Sequence, residues 1–535
     1  MNDKHPVLPR LGAPAPAGAF RRVPRFEVVC PLQCAARSLK CRLKMLPVLS
    51  VEQMRQWESA TWAAGKTAAD VIQQVGCLLA RRLMELSRPG DAIWLLAGKG
   101  HNGDDVRAAQ PHLSNRNVLL LNIPDPRDGL TQFSQNLQSR AGHPPQWIVD
   151  GLFGIGLNRP LDEQWRQLIL AINSCGGAIV AVDVPSGLNA DTGATEGAAI
   201  VAALTLTLAA PKAGLLKAPA LTGRVEVLPD IGLVPCPVRA ELNWTTPDDF
   251  AGLPPPRPVA GNKGTFGHLA IVAGSRGYHG AAVLAAHGAL RAQPGLVTVF
   301  PQENAWLPVA AQLQAAMVHP WAPGQALPKT CGALLFGPGL AGQDVPDTLK
   351  AEMRTHWHGT PLAMVVDASA LDWLQPGPTP AGAARLITPH PGEAARLLGC
   401  TAEQVQSDRV AALRRLSNRF GACCVALKGH QTLVGAAEGD ISVNSTGNPF
   451  LAQGGSGDLL SGYLAGLLAQ PQWRKNLPLA VRFGVWQHGA AADDLSHIQP
   501  NWTVEDLAAR LGSHSTATLI LNPNLNLNPN PNPQN

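Results

Sequence analysis

The sequence predicts an α/β protein with two parallel-sheet domains. Three observations predict this class. The chain has 535 residues, which is too long for one hydrophobic core. Short apolar runs typical of buried strands alternate with helical runs in both halves. Prolines crowd residues 230–262, where no hydrophobic period is visible, so the two series are expected to be separate units joined by a linker.

In the first half, two helices are predicted at Val51 to Ala64 and Ala68 to Ser87. Runs of four to six apolar residues then alternate with polar, helix-forming stretches, which is the order expected of strands and crossover helices in a parallel sheet. The predicted strands are Ala92–Ala97, Asn117–Asn122, Trp147–Asp150, Ala178–Asp183, Ala203–Leu208 and Val225–Leu228.

The second half repeats this alternation, with strands of the same kind separated by longer amphipathic or small-residue stretches. The predicted strands are His268–Ala273, Gly295–Phe300, Gly332–Phe336, Leu362–Asp367, Arg385–Thr388, Cys423–Lys428 and Gln431–Val434. The predicted helices are 279–292, 391–398, 402–419, 456–469 and 476–495.

The domain boundaries follow from these patterns. We expect a first domain at 45–235, a proline-rich linker at 236–262 and a second domain at 263–510. Residues 1–44 are interpreted as a disordered extension, with Met45 as the expected true start. Residues 511–535 are interpreted as a low-complexity tail because they are largely Asn and Pro.

Composition narrows the function classes. A net charge of +5 is small for this length and does not indicate a nucleic-acid partner. No apolar run of about 18 residues is present, so no membrane helix is expected. The cysteines lack the regular spacing of a disulfide framework and are expected to be free thiols. Together these features predict a cytoplasmic protein.

Three glycine-rich or polar turns follow predicted strands of the first half, at Gly98–Asp105, Asp150–Pro160 and Val182–Leu188. The carboxyl ends of parallel strands meet at one edge of a sheet, where ligands bind. Asn102, Asp150 and the Ser186 region bring hard oxygen ligands to that edge, which suits a monovalent or hard cation.

In the second half, the turn Gly454–Gly457 leads through Asp458 into an apolar helix. Glycines allow a phosphate to approach the backbone, and helix N-termini attract anions. Asp458 is placed to take a proton from a hydroxyl that attacks a phosphoryl group. Lys428 and His390 follow other predicted strands and are expected at the same edge; a solvent-exposed lysine was an equal alternative for Lys428.

The first-half motifs, with Ala209–Gly214, resemble the NAD(P)H-hydrate epimerase domain, which has a Rossmann-like fold. The resemblance implies potassium bound by Asn102, Asp150 and Ser186, and a substrate-binding and catalytic Asp183. It also implies a substrate loop formed by Gly154, Ile155, Gly156, Leu157, Asn158, Arg159 and Pro160. The family loop usually reads Asn-Asn-Gly-Gly-Asp-Gly, whereas His101–Val106 has lost one Asn and two Gly and gained Asp104.

Residues 255–495 resemble ADP/ATP-dependent NAD(P)H-hydrate dehydratases, which have a ribokinase-like fold. The motifs are Asn262–His268, Thr388–Glu393 and Thr446–Asp458. The resemblance implies hydrate binding by Ala281, Gly339, His390 and Asp458, with Asp458 catalytic. It implies ADP or AMP binding by Lys428, Gly429, Gly455, Ser456 and Gly457. Phe450, Leu451 and Gln453 depart from the usual Gly, Met and Thr, and Gln314–Met317 lacks an acidic residue that is often present.

The order of the two domains resembles bacterial bifunctional NAD(P)H-hydrate repair enzymes. This implies epimerisation of R and S hydrates of NADH and NADPH and ADP-dependent dehydration of the S hydrate. Mg²⁺ with ADP, K⁺ in the first domain and a homo-oligomer are further expectations. Two alternatives remain open at this point. One is a ribokinase-like kinase of a small vitamin precursor with a non-catalytic first domain, and the other is a first domain whose catalysis has decayed.

Overall fold

A computed structural model describes residues 45–140, 143–342 and 344–513. The predicted extension 1–44 and most of the predicted tail lie outside the described residues. Within the described part, no helix combines the length and apolar character needed to cross a membrane.

The described strands, in chain order, are β1 (Leu46–Pro47), β2 (Ala92–Ala97), β3 (Asn117–Asn122), β4 (Trp147–Gly151), β5 (Ala178–Val182), β6 (Leu204–Leu208), β7 (Arg224–Leu228), β8 (Leu242–Trp244), β9 (His268–Val272), β10 (Leu296–Phe300), β11 (Met317–Val318), β12 (Ala333–Phe336), β13 (Ala363–Val366), β14 (Arg385–Ile387), β15 (Cys424–Leu427), β16 (Leu433–Gly435) and β17 (Ile441–Val443).

The α-helices of the same residues are α1 (Val51–Ala63), α2 (Ala68–Leu86), α3 (His101–Ala109), α4 (Pro126–Ser139), α5 (Glu163–Ser174), α6 (Pro219–Thr222), α7 (His279–Arg291), α8 (Glu303–Ala310), α9 (Asp347–Gly359), α10 (Pro391–Leu398), α11 (Ala402–Ser407), α12 (Arg409–Arg419), α13 (Ser456–Ala469), α14 (Pro471–Arg474), α15 (Leu477–Ile498) and α16 (Val504–Arg510).

The first sheet has the order β3-β2-β4-β5-β6-β7, and all its described pairings are parallel. Both faces are covered. Leu95 and Val149 pack in one core cluster with Leu79 of α2, whereas Trp94 and Ile148 pack in another on the opposite face. Alternate residues of one strand therefore serve two cores, which explains why β2 is apolar throughout.

The second sheet has the order β1-β8-β17-β16-β15-β14-β13-β12-β9-β10-β11. The seven strands from β15 to the edge strand β11 in this order pair in parallel. Helix α13 is almost wholly buried and packs closely on α7, because Gly288 and Gly462 lie where any side chain would overlap the facing backbone. The predicted class, α/β with two parallel-sheet domains, is confirmed.

The sequence-based prediction lacks four short strands of the second sheet: β1, β8, β11 and β17. Strand β8 lies inside the segment predicted as a linker and pairs with β17, and β1 pairs antiparallel with β8. Phe250, in the same segment, is fully buried in the second core. These strands have only two or three residues, so they carry no measurable hydrophobic period, and the neighbouring prolines obscure them.

Candidate functional site

The carboxyl ends of five adjacent parallel strands form one edge of the second sheet. β9, β12, β13, β14 and β15 end just before Ala273, Gly337, Asp367, Thr388 and Lys428. The parallel register therefore brings the predicted Lys428 to the same edge as an acidic residue that the sequence reasoning did not select, Asp367. Ligands of open α/β sheets bind at this kind of edge.

Lys428 makes a buried ion pair at this edge. Its Nζ donates to Asp367 Oδ1 at 2.8 Å and lies 3.9 Å from Glu393 Oε2. Thr388 Oγ1 donates to the same Asp367 oxygen at 2.7 Å, which orients the carboxylate. The Lys428 side chain is only 18% exposed and is ion-paired, which excludes the alternative of a solvent-exposed loop lysine. Burial lowers the pKa of Lys428, but Asp367 and Glu393 outweigh burial and raise it above its ordinary value.

Asp458 lies in the first turn of α13 beside this cluster. The preceding Gly455 caps the helix with φ +92°, and a Cβ there would overlap Leu284 Cδ1. This turn brings the helix start to the sheet edge. Burial raises the pKa of Asp458 to about 7, with further increases from Asp367 and Glu393 and a decrease from Lys428. A carboxyl group that titrates near neutrality is suited to accept a proton in catalysis.

His390 caps α10. Its Nδ1 accepts from the backbone N–H groups of Gly392 (3.1 Å) and Glu393 (3.3 Å), while Glu393 Oε2 accepts from the His390 N–H at 2.7 Å. This reciprocal cap fixes the imidazole: its Nε2 lies 3.5 Å from Glu393 Oε1, and the His390 side chain stays about half exposed. Glu393 ends the motif Thr388–Glu393, but the sequence predicts no role for this residue.

Ala281 and Gly339, both predicted to bind the hydrate, lie together. A Cβ on Gly339 would come within 2.9 Å of Ala281 Cβ and would overlap the Tyr278 carbonyl. Ser275 Oγ donates to the Gly339 carbonyl at 2.7 Å and fixes the turn. These contacts show a tight turn with little side-chain bulk. Its contact with the substrate stays a prediction.

The first sheet has a corresponding edge, where Asn102, Asp150 and Ser186 meet. Ser186 Oγ donates to Asp150 Oδ1 at 2.7 Å, and the Ser186 N–H donates to Asp150 Oδ2 at 2.8 Å. Asn102 Nδ2 donates to the Phe153 carbonyl (2.7 Å) and the Val182 carbonyl (3.0 Å). Its Oδ1 atom is buried without a hydrogen-bond partner. An orphaned amide oxygen beside a buried carboxylate fits a hard cation.

Asp183 has an unusual backbone, with φ +66°. Its Oδ1 pairs with Lys212 Nζ and accepts from the Leu208 N–H at 3.1 Å. The Lys212 side chain is only 1% exposed. Strained backbone at a buried charged pair is typical of functional sites. Lys212 belongs to the quoted segment Ala209–Gly214, but it was not selected as a site residue.

Two further acids surround this pair. Asp105, in α3, has its pKa raised to about 8 by burial and by the neighbouring charges of Asp183, Asp104 and Glu58. The pKa of Glu58 is also raised, first by burial and then by Asp183. With its pKa raised to about 8, Asp105 lies beside the Asp183–Lys212 ion pair as a carboxyl group able to donate a proton near neutral pH. The sequence pattern gave no sign of Glu58, which lies in α1.

The altered loop His101–Val106 keeps its essential close contacts. Side chains at Gly98 or Gly103 would overlap backbone atoms of Leu152 or Gly98, respectively. The added Asp104 is paired with Arg107 Nη1 at 2.8 Å. Gly103 of the loop and Gly98 just before it are thus the glycines that this packing needs, and Arg107 offsets the negative charge of Asp104.

The predicted substrate loop from Gly154 to Pro160 follows β4 directly. A Cβ on Gly154 would lie 3.4 Å from Asn102 Cβ, so the loop starts beside the proposed cation ligands. Leu157 is buried, whereas Gly156, Asn158, Arg159 and Pro160 are exposed. The exposed polar part is thus available for a ligand.

A pocket of about 1050 Å³, here called the interdomain pocket, lies between the two domains. Its second-domain side includes Lys428, Gly429, Ser456 and Gly457, four of the five residues predicted to bind ADP or AMP. His488, from α15, also lines the interdomain pocket, and burial lowers its pKa to about 4. This histidine lies within an apolar helix and gave no signal in the sequence.

Comparisons with known proteins identify relatives of both domains. A family model described as NAD(P)H-hydrate dehydratase matches residues 269–515, and one described as YjeF-related protein N-terminus matches residues 61–214. A solved structure, the ADP/ATP-dependent NAD(P)H-hydrate dehydratase from Bacillus subtilis co-crystallised with ATP and Mg²⁺, is 28% identical. It covers 50% of this chain and 95% of its own, with a TM-score of 0.45.

Two curated relatives match along most of the chain. The bifunctional NAD(P)H-hydrate repair enzyme of Coxiella burnetii is 33% identical over 464 residues, which are 82% of this chain and 93% of the relative. The enzyme of the same name from Gloeobacter violaceus is 36% identical over 489 residues, or 84% and 93%. The predicted resemblance is confirmed: this chain belongs to the family of bifunctional NAD(P)H-hydrate repair enzymes.

Proposed function

We propose that the chain repairs NADH and NADPH whose nicotinamide ring has been hydrated. The first domain interconverts the R and S hydrates. The second domain phosphorylates the hydroxyl of the S hydrate with ADP and then eliminates phosphate, which yields NAD(P)H, AMP and phosphate. The observation that carries the second activity is the Asp458 carboxyl, with a pKa near 7, at a glycine-rich helix start beside Lys428.

In the phosphoryl-transfer step, Asp458 takes the proton of the substrate hydroxyl as its oxygen forms a bond to the terminal phosphorus of ADP. The bond from that phosphorus to the bridging oxygen breaks, and AMP leaves with this oxygen. Backbone N–H groups of Gly455, Ser456 and Gly457 stabilise the transferred phosphoryl group at the start of α13. Lys428 supplies a positive charge beside the transferred phosphoryl group. In the elimination that follows, the phosphate formed in this step is a better leaving group than hydroxide.

Mg²⁺ is proposed to accompany ADP. This ion is usually held by one or two carboxylates together with phosphate oxygens, so an all-protein cage is not required. The carboxylates of Asp367 and Glu393 at the sheet edge suit that arrangement. When bound, Mg²⁺ offsets the negative charge of the transferred phosphoryl group.

Hydrate binding is proposed at Ala281, Gly339, His390 and Asp458. The turn around Gly339 carries little side-chain bulk, and the His390 imidazole is held in place by its cap on α10. Lys428, Gly429 and Gly455–Gly457 are proposed to contact ADP or AMP.

Potassium is proposed to bind Asn102, Asp150 and Ser186 in the first domain. The unpartnered Asn102 Oδ1 supports this ligand set. The ion would offset the charge of a substrate phosphate. Asp183 is proposed to move a proton on the hydrate, held in place by Lys212, with the loop from Gly154 to Pro160 covering the nucleotide.

One spectrophotometric assay tests both activities. The full chain is incubated with mixed R and S NADH hydrate, K⁺, Mg²⁺ and either ADP or ATP, and the absorbance of reduced nicotinamide is followed. Recovery of both epimers, faster than spontaneous epimerisation allows, is the expected result. A fast phase that stops when the S hydrate is consumed would indicate a decayed first domain. No nucleotide-dependent recovery would refute the repair function and favour a small-molecule kinase.

Three expectations from the sequence stay predictions. These are a homo-oligomer, the lack of a nucleic-acid partner and a cytoplasmic location. The donor preference for ADP over ATP is likewise a proposal, and the two nucleotide arms of the assay compare them directly.

A further inference from the structure

The interdomain pocket has a wall that belongs to the first domain. Pro219 and Gly223, with Arg224 at the start of β7, line it opposite the second-domain residues Lys428 and Gly457. The pocket that contains the proposed ADP-binding residues is therefore not formed by the second domain alone.

The local fold fixes the position of this wall. Helix α6 ends at Thr222 and is followed by Gly223, where φ is +56° and any Cβ would overlap the carbonyls of Ala202 and Ala203. The next residue, Arg224, enters β7 with its N–H donating to the Ala203 carbonyl at 3.1 Å. This sharp turn between α6 and β7 sets the direction in which the Arg224 side chain leaves the first sheet.

Arg224 contacts the second domain through an acid. Its Nη2 lies 3.6 Å from Asp493 Oδ2, and its Nε lies 3.1 Å from Glu226 Oε1. Glu226 is itself held by Arg82, at 2.7 and 2.9 Å. Glu226, itself bound by Arg82, thus holds the Arg224 guanidinium within the first domain. Asp493, in α15 of the second domain, contacts the same guanidinium.

Asp493 holds the loop that lines the interdomain pocket. Its Oδ2 accepts from the Gly447 N–H and its Oδ1 accepts from Asn448 Nδ2, both at 3.0 Å. Gly447 and Asn448 line the interdomain pocket, and the Asp493 side chain is only 9% exposed. Arg224 therefore contacts a carboxylate that accepts two hydrogen bonds from the loop lining the pocket.

We infer that the first domain completes the nucleotide-binding pocket of the second, with Arg224 acting through Asp493 as a positioning residue for the nucleoside diphosphate. This inference rests on the proposed ADP-dependent dehydration. It predicts that loss of the Arg224 charge weakens ADP binding and leaves the turnover of the bound complex unchanged, because Arg224 does not touch the reacting atoms.

The test compares Arg224→Gln with Arg166→Gln in the full chain. Arg166 is a matched control, since it also lies in the first domain, is also about half exposed and also pairs with an acid, Glu163. We expect Arg224→Gln to raise the KM for ADP roughly three- to five-fold, as for loss of a partly exposed ion pair, with kcat unchanged. Arg166→Gln should leave the KM for ADP and kcat unchanged. Arg224→Lys, which keeps the positive charge, should raise the KM for ADP less than Arg224→Gln does.

Two further measurements separate the inference from other causes. Epimerase activity of each variant reports whether the first domain is folded. Because Arg224 acts through Asp493, adding Arg224→Gln to Asp493→Asn should weaken ADP binding no further than Asp493→Asn alone. The inference would be overturned if the effects of the two substitutions on ADP binding were fully additive. It would also be overturned if Arg224→Gln had the same KM for ADP as the unmutated chain.

Failure of the proposed function gives a different result. If the unmutated chain shows no ADP-dependent recovery of NADH, the repair function is refuted before any variant is compared. Calorimetric titration of ADP into the same proteins still decides the present inference. Weaker ADP binding in Arg224→Gln than in Arg166→Gln supports it, and equal binding refutes it.

Discussion

Replacement of Asp458 by Asn tests the catalytic proposal most directly. The amide has the same shape as the carboxyl group but cannot accept the hydroxyl proton. A positioned general base contributes roughly 10²–10⁴-fold to the rate. Dehydration by Asp458→Asn should therefore be slower by about that factor, or about 3–5 kcal/mol in the activation free energy. Epimerisation should be unchanged, because it takes place in the other domain.

The pKa of Asp458 gives this prediction a pH dependence. With a pKa of about 7, the ionised fraction rises roughly ten-fold between about pH 6 and about pH 8. The kcat/KM for dehydration by the unmutated protein should rise over the same interval. In the residual activity of Asp458→Asn this rise should be absent. Near-normal turnover in the variant, or a flat profile in the unmutated protein, would refute the role of Asp458 as the base.

Asp458→Asn should stabilise the folded protein although it slows dehydration. A carboxyl group whose pKa is raised from 3.8 to about 7 by folding destabilises the folded state progressively as pH rises through that window. The upper limit of this effect is about 4 kcal/mol above pH 7, and solvent screening and Lys428 reduce it. Asp458→Asn should thus unfold at a higher denaturant concentration than the unmutated protein at about pH 8. A lower midpoint would show that the loss of activity came from a damaged fold.

Three other changes address the rest of the site. Asn102→Ala removes the unpartnered amide oxygen and should raise the K⁺ concentration for half-maximal epimerase activity roughly ten-fold or more, with dehydration as the unaffected control. Lys428→Met removes a charge that lowers the pKa of Asp458, so the midpoint of the dehydration pH profile should move to higher pH; a shift to lower pH would contradict the ion-pair geometry. Gly455→Ala places a Cβ against Leu284 at φ +92° and should cost roughly 1–3 kcal/mol of unfolding free energy, measured by chemical denaturation, and an unchanged midpoint would argue against this turn.

Strands and motifs with strong local signals were predictable from the sequence. The predicted strand Ala92–Ala97 and the predicted helix 391–398 match the structure at both ends. Local chemistry sets such boundaries, for example the His390 and Pro391 pair that caps and opens α10. The helix predicted at 402–419 is divided, because Asp408 leaves the helical conformation and caps α12. Its side chain competes with the backbone for hydrogen bonds, which is a local effect that periodicity does not report.

Residues that act through tertiary contacts were not predictable. Glu58, Asp367 and His488 lie in helices or at a strand end without any motif, and only the fold brings them to the two sites. Arg224 lies just before the predicted strand Val225–Leu228, where an arginine is ordinarily a surface residue. Arg224 differs from an ordinary surface arginine because it pairs with Asp493, which is far away in the sequence. Charge and spacing along one segment cannot reveal a pairing of that kind.

The connection between the two sheets argues that the domains are coupled parts of one structure. Strand β1 belongs to the second sheet, yet two residues later Leu49 exchanges backbone hydrogen bonds with the first-domain loop: its N–H donates to the Pro211 carbonyl and its carbonyl accepts from the Ala213 N–H. These bonds flank Lys212, the partner of Asp183. A fragment that ended before the second sheet would leave β1 without its partner strands and would loosen the segment that holds Lys212. Each domain therefore supports the other's site, the second through β1 and the first through Arg224, and activity measurements on the full chain report both contributions.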